Sequence, residues 1–451
     1  MKPIYVLAPF VLALSIACFG QTEPGSVASP DAAVAPLSVD DAVAAALESN
    51  PEIRAAVRRL SLAKLKTATA RSLDDPMLMT RDWDTPLRRP WDLNQAQLMV
   101  SIQQTFPSRQ KRDQRAKLAE DDAGIAAIDL ETLRQEVSVE VRKTCTDLMR
   151  NADEVRLQAR QSSLLKEALA AALAEYTTGK SPQTDVLRAQ MALTRLNEQL
   201  IELEEEHDNA SAQLNALMGR PPNEAIEIAG SYTGPAAIPS NEELEHAAIE
   251  HRPELAALRA QIAKSRDEGK LTRLAMKPDF TVGLGYMLMP TGSLARNAYM
   301  GEVSMNLPWL NRERHEGEAK QADAATDVSQ AELDARASTV FLEIRQAQIE
   351  VLAAEKRVKL YRDTLLPQAE ASFKASTAAY QNNRAEFMSL IDAQNLLLDI
   401  QTATYKASAA TDEGMAQLER AIGAPIANPA NRNTKTSSNP ETNSNNGRTS
   451  K

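Results

Sequence analysis

The chain is predicted to be mainly α-helical with a small membrane β part, built from two copies of one long unit. Three observations carry this. First, Asn50-Pro51-Glu52-Ile53-Arg54-Ala55 returns as Arg252-Pro253-Glu254-Leu255-Ala256-Ala257, and Pro76 as Pro278. Phe106-Pro107 returns as Leu307-Pro308, and Ala212-Gln213-Leu214 with Met218-Gly219 as Ala416-Gln417-Leu418 with Ile422-Gly423. These anchors stay in register over roughly two hundred residues, far beyond the period of a solenoid. Second, aromatic residues are only 4% of the chain while Ala, Leu, Glu, Gln and Arg abound, a composition for long helices. Third, short alternating segments interrupt the helical pattern at matching places in both copies.

The N-terminus carries an export signal over 1–17. Lys2 is its positive region, Ile4 to Ile16 its apolar run, and Ser15-Ile16-Ala17 its small-residue end. Leu14-Ser15-Ile16-Ala17-Cys18 resembles a bacterial lipoprotein box, with Ser15 where Leu is usual, so Cys18 is the candidate lipid-attachment residue. Ordinary cleavage near Ala17 or Gly20 is the alternative. Residues 18–37 read as an N-terminal linker, and the Asn/Ser/Thr-rich 428–451 as a tail too polar to order itself. Past residue 18 no run of eighteen apolar residues exists, which excludes a transmembrane helix but not a β-barrel. Two cysteines exclude a disulfide framework, and a net charge of −10 gives a nucleic-acid partner no support.

The first repeat, 38–230, begins with Ser38 as N-cap and Asp41 three residues on. Val39, Val43, Leu47, Ile53, Val57 and Leu60 keep helical spacing, broken into two pieces by Asn50-Pro51. Strands are expected at about 77–83 and 96–106, where Leu98, Val100 and Ile102 alternate with Gln97, Ser101 and Gln103. From Ser108 to Ser181 there is no proline, so a helix of roughly 65 residues spans about 100 Å. Gly179-Lys180-Ser181-Pro182 turns the chain, and a returning helix closes the hairpin 108–218. Its seam is Val186, Ala189, Leu193, Leu196, Leu200, Leu203, His207, Ala210, Leu214 and Leu217, alternating three and four as packed helices require.

The second repeat, 231–427, repeats this plan. Strands are expected at about 279–289 and 299–307, around a tip at Pro290 to Ala298, then a hairpin over 309–422. Its seam, from Leu390 through Ala393, Leu397 and Gly414 to Ala421, is smaller and more polar. Each half therefore reads helix, β-hairpin, very long helix, turn, helix. Four strands cannot close a membrane barrel, and open edges are not tolerated in lipid. Three chains give twelve strands, an even number within the known range.

In this arrangement the chain resembles the TolC-like outer-membrane efflux proteins over about 38–425. The residues are Ala42 to Glu52 with its copy at 244–254, Gln104-Thr105-Phe106-Pro107, and Tyr176 with Gly179 and Asp185-Val186-Leu187. They continue with Leu214 to Gly219, Leu307-Pro308 with Asn311-Arg312, Tyr380 with Asp392-Ala393-Gln394, and Leu418 to Gly423. Asp74-Asp75-Pro76-Met77-Leu78 and the stretch 106–112 resemble the heavy-metal cation branch. The resemblance implies a homotrimer in a bacterial outer membrane: a 12-stranded β-barrel continued by an α-barrel of coiled helices across the periplasm. It implies docking on an inner-membrane transporter through a periplasmic adaptor, and export of small solutes such as metal cations or drugs.

The resemblance also assigns the tips. Tyr380, Arg384 and Asp392 match the pore gate of the second tip, and Asp185 the acid of the first. Arg384 stands one place nearer Tyr380 than the family pattern, and Ser389 replaces a second acid. Tyr176, Gly179, Lys180, Asn383 and Phe387 are the expected adaptor-contact residues. The plain alternatives are that Asp392 is a solvated helix residue, that Asp185 is a helix-start acid, and that the tips are simple turns.

Methionines gather near the strands, at Met77, Met79, Met99, Met276, Met287, Met289, Met300 and Met305. Thioethers suit Cu(I), but the expected reading is lipid-facing bulk, with no metal site. The four histidines show no ligand spacing, Cys145 is expected to be packed and inert, and Trp83 and Trp91 suit an interfacial belt or loop packing equally. No catalytic set appears, so neither enzyme activity nor a cofactor is expected. Two rivals to an efflux duct remain: the outer-membrane duct of a type I protein secretion system, and a pore-free periplasmic coiled-coil adaptor or scaffold. Two hairpins with strands between helices favour a duct.

Overall fold

The computed structural model describes residues 36–83, 97–232, 234, 237–290, 292–293, 297–382 and 384–426. The signal segment, Cys18, most of the linker, Trp91, Asn383 and the C-terminal tail lie outside the described residues.

The first repeat opens with β1 (Leu37–Ser38) and α1 (Val39–Ser49). Ser38 Oγ accepts the Asp41 N–H (3.1 Å) and donates to Asp41 Oδ2 (2.7 Å), which satisfies a donor the helix start leaves open. Asn50 ends α1 and caps α2 (Pro51–Ala70), its Oδ1 accepting from the Glu52 and Ile53 N–H groups. Pro51 fills the first helical position, where a missing N–H costs nothing. The antiparallel strands β2 (Met77–Trp83) and β3 (Gln97–Phe106) follow. Then come α3 (Arg109–Thr177), 69 residues long, and α4 (Gln183–Leu217) packed back along it. A two-residue strand β4 (Ile228–Ala229) pairs in parallel with β1, a tie that no pattern in the sequence foreshadows.

The second repeat gives α5 (Asn241–His251), α6 (Pro253–Leu274), β5 (Phe280–Leu288), β6 (Asn297–Met305), α7 (Arg312–Leu360), α8 (Leu366–Gln381) and α9 (Phe387–Ile422). β6 lies two residues earlier than its alternation predicts. The ladder begins at Leu288↔Asn297 and ends at Phe280↔Met305, where Asn306 Oδ1 accepts the Asp279 N–H (2.6 Å) and closes the pair. The expected single long helix after Pro308 is also divided. A 3-10 turn covers Pro308–Asn311, and a wide π turn over Tyr361–Leu365 separates α7 from α8. Pro367 is the cause: it has no N–H to donate and its ring crowds the carbonyl four residues back.

The repeats are matched down to single bonds. Asn50 Nδ2 donates to Leu217 O (2.9 Å), and Arg252 Nη1, at the equivalent place, donates to Ala421 O (3.0 Å). Beside each lies a left-handed glycine, Gly219 (φ 69) and Gly423 (φ 74). A Cβ there would meet Ser49 O at 2.6 Å and His251 O at 2.7 Å. Gly219→Ala and Gly423→Ala are therefore each expected to destabilise the protein by about 1–3 kcal/mol. Thermal unfolding in detergent checks this; an unchanged midpoint would show that the two helix ends shift freely.

The α9 seam is buried at Leu390, Ala393, Leu397, Ala407, Thr411, Gly414, Leu418 and Ala421, while Ile400 and Thr404 in its middle are only half-buried. Equivalent apolar clusters sit at the base of each repeat, around Val141 and Leu214 in the first and Ile344 and Leu418 in the second.

Candidate functional site

Two regions have unusual chemistry: the sheet and the helix tips. The sheet runs β2-β3-β5-β6, so β2 and β6 are its edges. Register places Leu78, Ile102, Leu284 and Gly301 in one row, and Val100, Tyr286 and Tyr299 on the same face. That face is exposed and mostly apolar, with Thr80, Asp82, Gln104 and Asn297 its polar members: Leu284 is 72% accessible, Val303 74% and Tyr299 91%. The opposite face is polar and packed. Ser101 is buried there, Gln103 Nε2 donates to Glu302 Oε2 (3.1 Å), and the Thr105 and Thr281 hydroxyls share a hydrogen bond (3.0 Å). A water-soluble sheet would invert this; apolar out and polar in is the arrangement of a membrane barrel segment.

The sheet is bolted to the helices at its base. Lys111 Nζ, in the first turn of α3, donates to Asp279 Oδ1 (2.8 Å), Asp279 Oδ2 (2.9 Å) and Lys277 O (2.8 Å). Its side chain is 7% exposed. Such a buried ammonium is tolerated because every oxygen it meets is a paired acceptor. In the sequence Lys111 stands out only as part of the 106–112 stretch, and Asp279 carries no signal of its own.

At the other end, Gly179 (φ 71) terminates α3. Its N–H donates to Tyr176 O, and the Lys180 N–H to Glu175 O (both 2.9 Å), which satisfies the last carbonyls of the helix. Tyr176, Gly179 and Lys180 are exposed on this turn. Asp185 occupies the first turn of α4 and accepts from Ser181 Oγ (3.2 Å), which suits the helix dipole. In the second tip the Arg384 N–H donates to Ala379 O (2.8 Å).

The two tips are packed on each other. Tyr380 OH donates to Glu175 Oε2 (2.9 Å), and its ring meets Phe387 edge-on at 5.6 Å. Phe387 is 2% exposed, in a cluster with Leu165, Val186, Leu196 and Ile391 from both hairpins. The Phe387 side chain is therefore part of the tip core, and the exposed surface of this tip is carried by its neighbours. Burial, then the hydrogen bond to Glu175 and the charges of Glu175 and Asp185, push the Tyr380 hydroxyl up to about 12. It therefore remains a donor across the physiological range. Further along, Gln394 Nε2 donates to buried Gln161 Oε1 (2.9 Å), a second tie between the hairpins.

The structure thus joins Tyr380, Phe387 and Glu175, with Asp185 nearby. Arg384 and Asp392 are exposed, and among the described residues neither side chain has a hydrogen bond or ion pair. Glu175 was missed because its partner lies 205 positions away, on another helix. Among the described residues no three His, Cys, Asp or Glu side chains form a metal-ligating group. Cys145 is fully buried, and burial pushes its thiol up to about 12, which makes it unreactive.

Comparison with known proteins agrees with this geometry. The chain is 23% identical over 394 residues to the cobalt-zinc-cadmium resistance protein CzcC of Cupriavidus metallidurans, covering 87% of this chain and 92% of that one. Its fold is similar to that of the outer-membrane channel OprN (TM-score 0.71, 17% identity, 86% and 90% of the two chains). It is likewise similar to VceC of Vibrio cholerae (TM-score 0.68, 17% identity, 86% and 97%). The sequence pattern described as "Outer membrane efflux protein" matches residues 42–220 and 244–424, one segment in each repeat. The chain belongs to the outer membrane efflux protein family.

Proposed function

We propose that three copies close into one efflux duct, gated at its helix tips, and that its cargo is a heavy-metal cation. The single observation that carries the duct is the sheet: an exposed apolar face, a packed polar face, and two edges that only further strands can cover. Helix α3, at 1.5 Å per residue, continues the wall for about 100 Å. A periplasmic adaptor and an inner-membrane transporter supply partner and energy, with Tyr176, Gly179 and Lys180 as the adaptor-facing turn. The cation reading is supported by the kinship with CzcC and by the exposed carboxylate of Asp392, which three chains would set around the pore.

The gate is the Tyr380–Glu175 tie, with Asp185 near it, Arg384 on the adjoining turn and Asp392 as the selectivity charge. Conductance and ion selectivity of the purified trimer in a planar bilayer test this. Tyr380→Phe removes the hydrogen bond but keeps the ring on Phe387, and is expected to raise the open fraction. Asp392→Asn is expected to lower cation-over-anion selectivity by roughly a factor of two or more. A pore indifferent to both changes would place the gate elsewhere.

A further inference from the structure

The methionines near the strands do not lie where lipid-facing bulk would put them. Registers place Met79 opposite Ser101, Met99 opposite Met287, and Met300 opposite Gly285. These positions share the face of Gln103, Glu302, Thr105 and Thr281, the polar one. Apart from Met305, which is paired with Phe280 and lies on the apolar face, every methionine within a strand is on the polar side. Bulk apolar filling does not account for a choice of thioether over leucine beside Glu302, Gln103 and Ser101.

The four residues also form a path across the sheet, and the Met287 sulfur accepts from Gln97 Nε2 (3.0 Å). Met99 and Met287 are directly opposed, with Cβ atoms about 5 Å apart. Met79 is the diagonal neighbour of Met99, and Met300 the diagonal neighbour of Met287, within reach for side chains of this length. The series Met79, Met99, Met287, Met300 therefore crosses all four strands without a gap, from one edge to the other. Barrel closure would set the β6 of one chain against the β2 of the next, bringing Met300 toward the neighbour's Met77 and Met79. Ser101, 2% exposed and with no hydrogen-bond partner for its Oγ among the described residues, lies within the band and offers an oxygen ligand.

Thioether sulfur is a soft, neutral donor. It favours monovalent d10 cations and has little affinity for Na+, Mg2+ or Ca2+. We infer that the barrel lumen carries a methionine band that binds soft monovalent cations of the Ag+ or Cu+ type. This rests on the reading of the sheet as one third of a closed duct. The band is a site distinct from the carboxylates at the helix tips, which select by charge alone.

The test is calorimetric titration of Ag+ into the purified full-length trimer in chloride-free nitrate buffer. It compares wild type with the combined variant Met79→Leu, Met99→Leu, Met287→Leu and Met300→Leu. Leucine nearly conserves volume, and cysteine and histidine contributions cancel because both proteins keep them. Wild type is expected to take up roughly three or more additional Ag+ per trimer, and Ag+ is expected to block its Na+ conductance while the variant conducts unblocked. Equal Ag+ uptake by two conducting proteins overturns the band. If the combined variant does not assemble, the pair Met79→Leu and Met300→Leu, at the strand edges, is read the same way. A wild-type trimer that conducts no ions overturns the duct reading itself, a result separate from unchanged Ag+ uptake.

Discussion

Leu284→Arg is expected to remove the protein from the outer membrane. Leu284 lies mid-strand on the exposed apolar face, opposite Ile102 on one side and Gly301 on the other. At 72% exposure its side chain is mostly outside the protein, where little could shelter a charge. An arginine near the bilayer midplane of a β-barrel costs about 2–4 kcal/mol, and symmetry would impose that cost three times per trimer. Gln103→Arg is the control. Gln103 is one strand away but on the packed polar face, where Glu302 already accepts its amide. An arginine there can take over that bond, and assembly is expected to persist. Trimer abundance in isolated outer membranes checks both. Equal abundance for Leu284→Arg and wild type would mean that this face does not meet lipid.

What the sequence revealed follows periodicity and punctuation. The alternation of Val282, Leu284 and Tyr286 with Gly283 and Gly285 marked a strand and its apolar face, because a pleat leaves side chains little choice. The α9 seam was legible for the same reason at helical spacing. Ser38, Asn50-Pro51 and Gly179-Lys180-Ser181-Pro182 announced helix ends through the donors and carbonyls that caps must satisfy. Contacts between distant elements left no such trace. Glu175 is an ordinary helix glutamate until α8 brings Tyr380 to it, and Asp279 an ordinary turn residue until Lys111 arrives. The burial of Phe387 left no trace either: its place at a turn suggests exposure, whereas packing of the two hairpins buries it. The face of the strand methionines was not legible from composition, because it depends on register. Only the pairing of Met99 with Met287 and Met79 with Ser101 shows which face they share.

Arg252→Ala is expected to weaken the second repeat more than any single truncation at the equivalent place in the first. The Arg252 side chain is 3% exposed and holds three groups at once. Nη1 donates to Ala421 O (3.0 Å), while Nη2 meets Glu254 Oε2 (3.3 Å) and Glu343 Oε2 (2.5 Å). Arg336 closes the circuit, with Nε to Glu254 Oε2 and Nη1 to Glu343 Oε1, both 2.9 Å. Alanine leaves a helix-end carbonyl unpaired and two carboxylates sharing one guanidinium. Breaking a buried pair costs about 3–5 kcal/mol. The lower end applies here, because side-chain exposure of 28% for Glu254 and 36% for Glu343 lets water relieve part of the loss. Arg252→Asn tests the division of roles. It can copy the bond that Asn50 makes to Leu217 O, but reaches neither glutamate, so an intermediate stability is expected. Acid adds an independent check. Burial raises the Glu254 pKa, but the hydrogen bond from Arg336 and the charges of Arg252 and Arg336 outweigh it, and the net shift is downward from 4.5. A carboxylate with a lowered folded value stabilises the protein above the ordinary value and loses that contribution as pH falls through the folded one. Wild type should therefore lose stability below pH 4.5, and its advantage over Arg252→Ala should shrink there. Urea unfolding in detergent at neutral and acidic pH measures both. A gap that stays constant with pH would assign the role of Arg252 to its bond with Ala421 O rather than to its ion pairs.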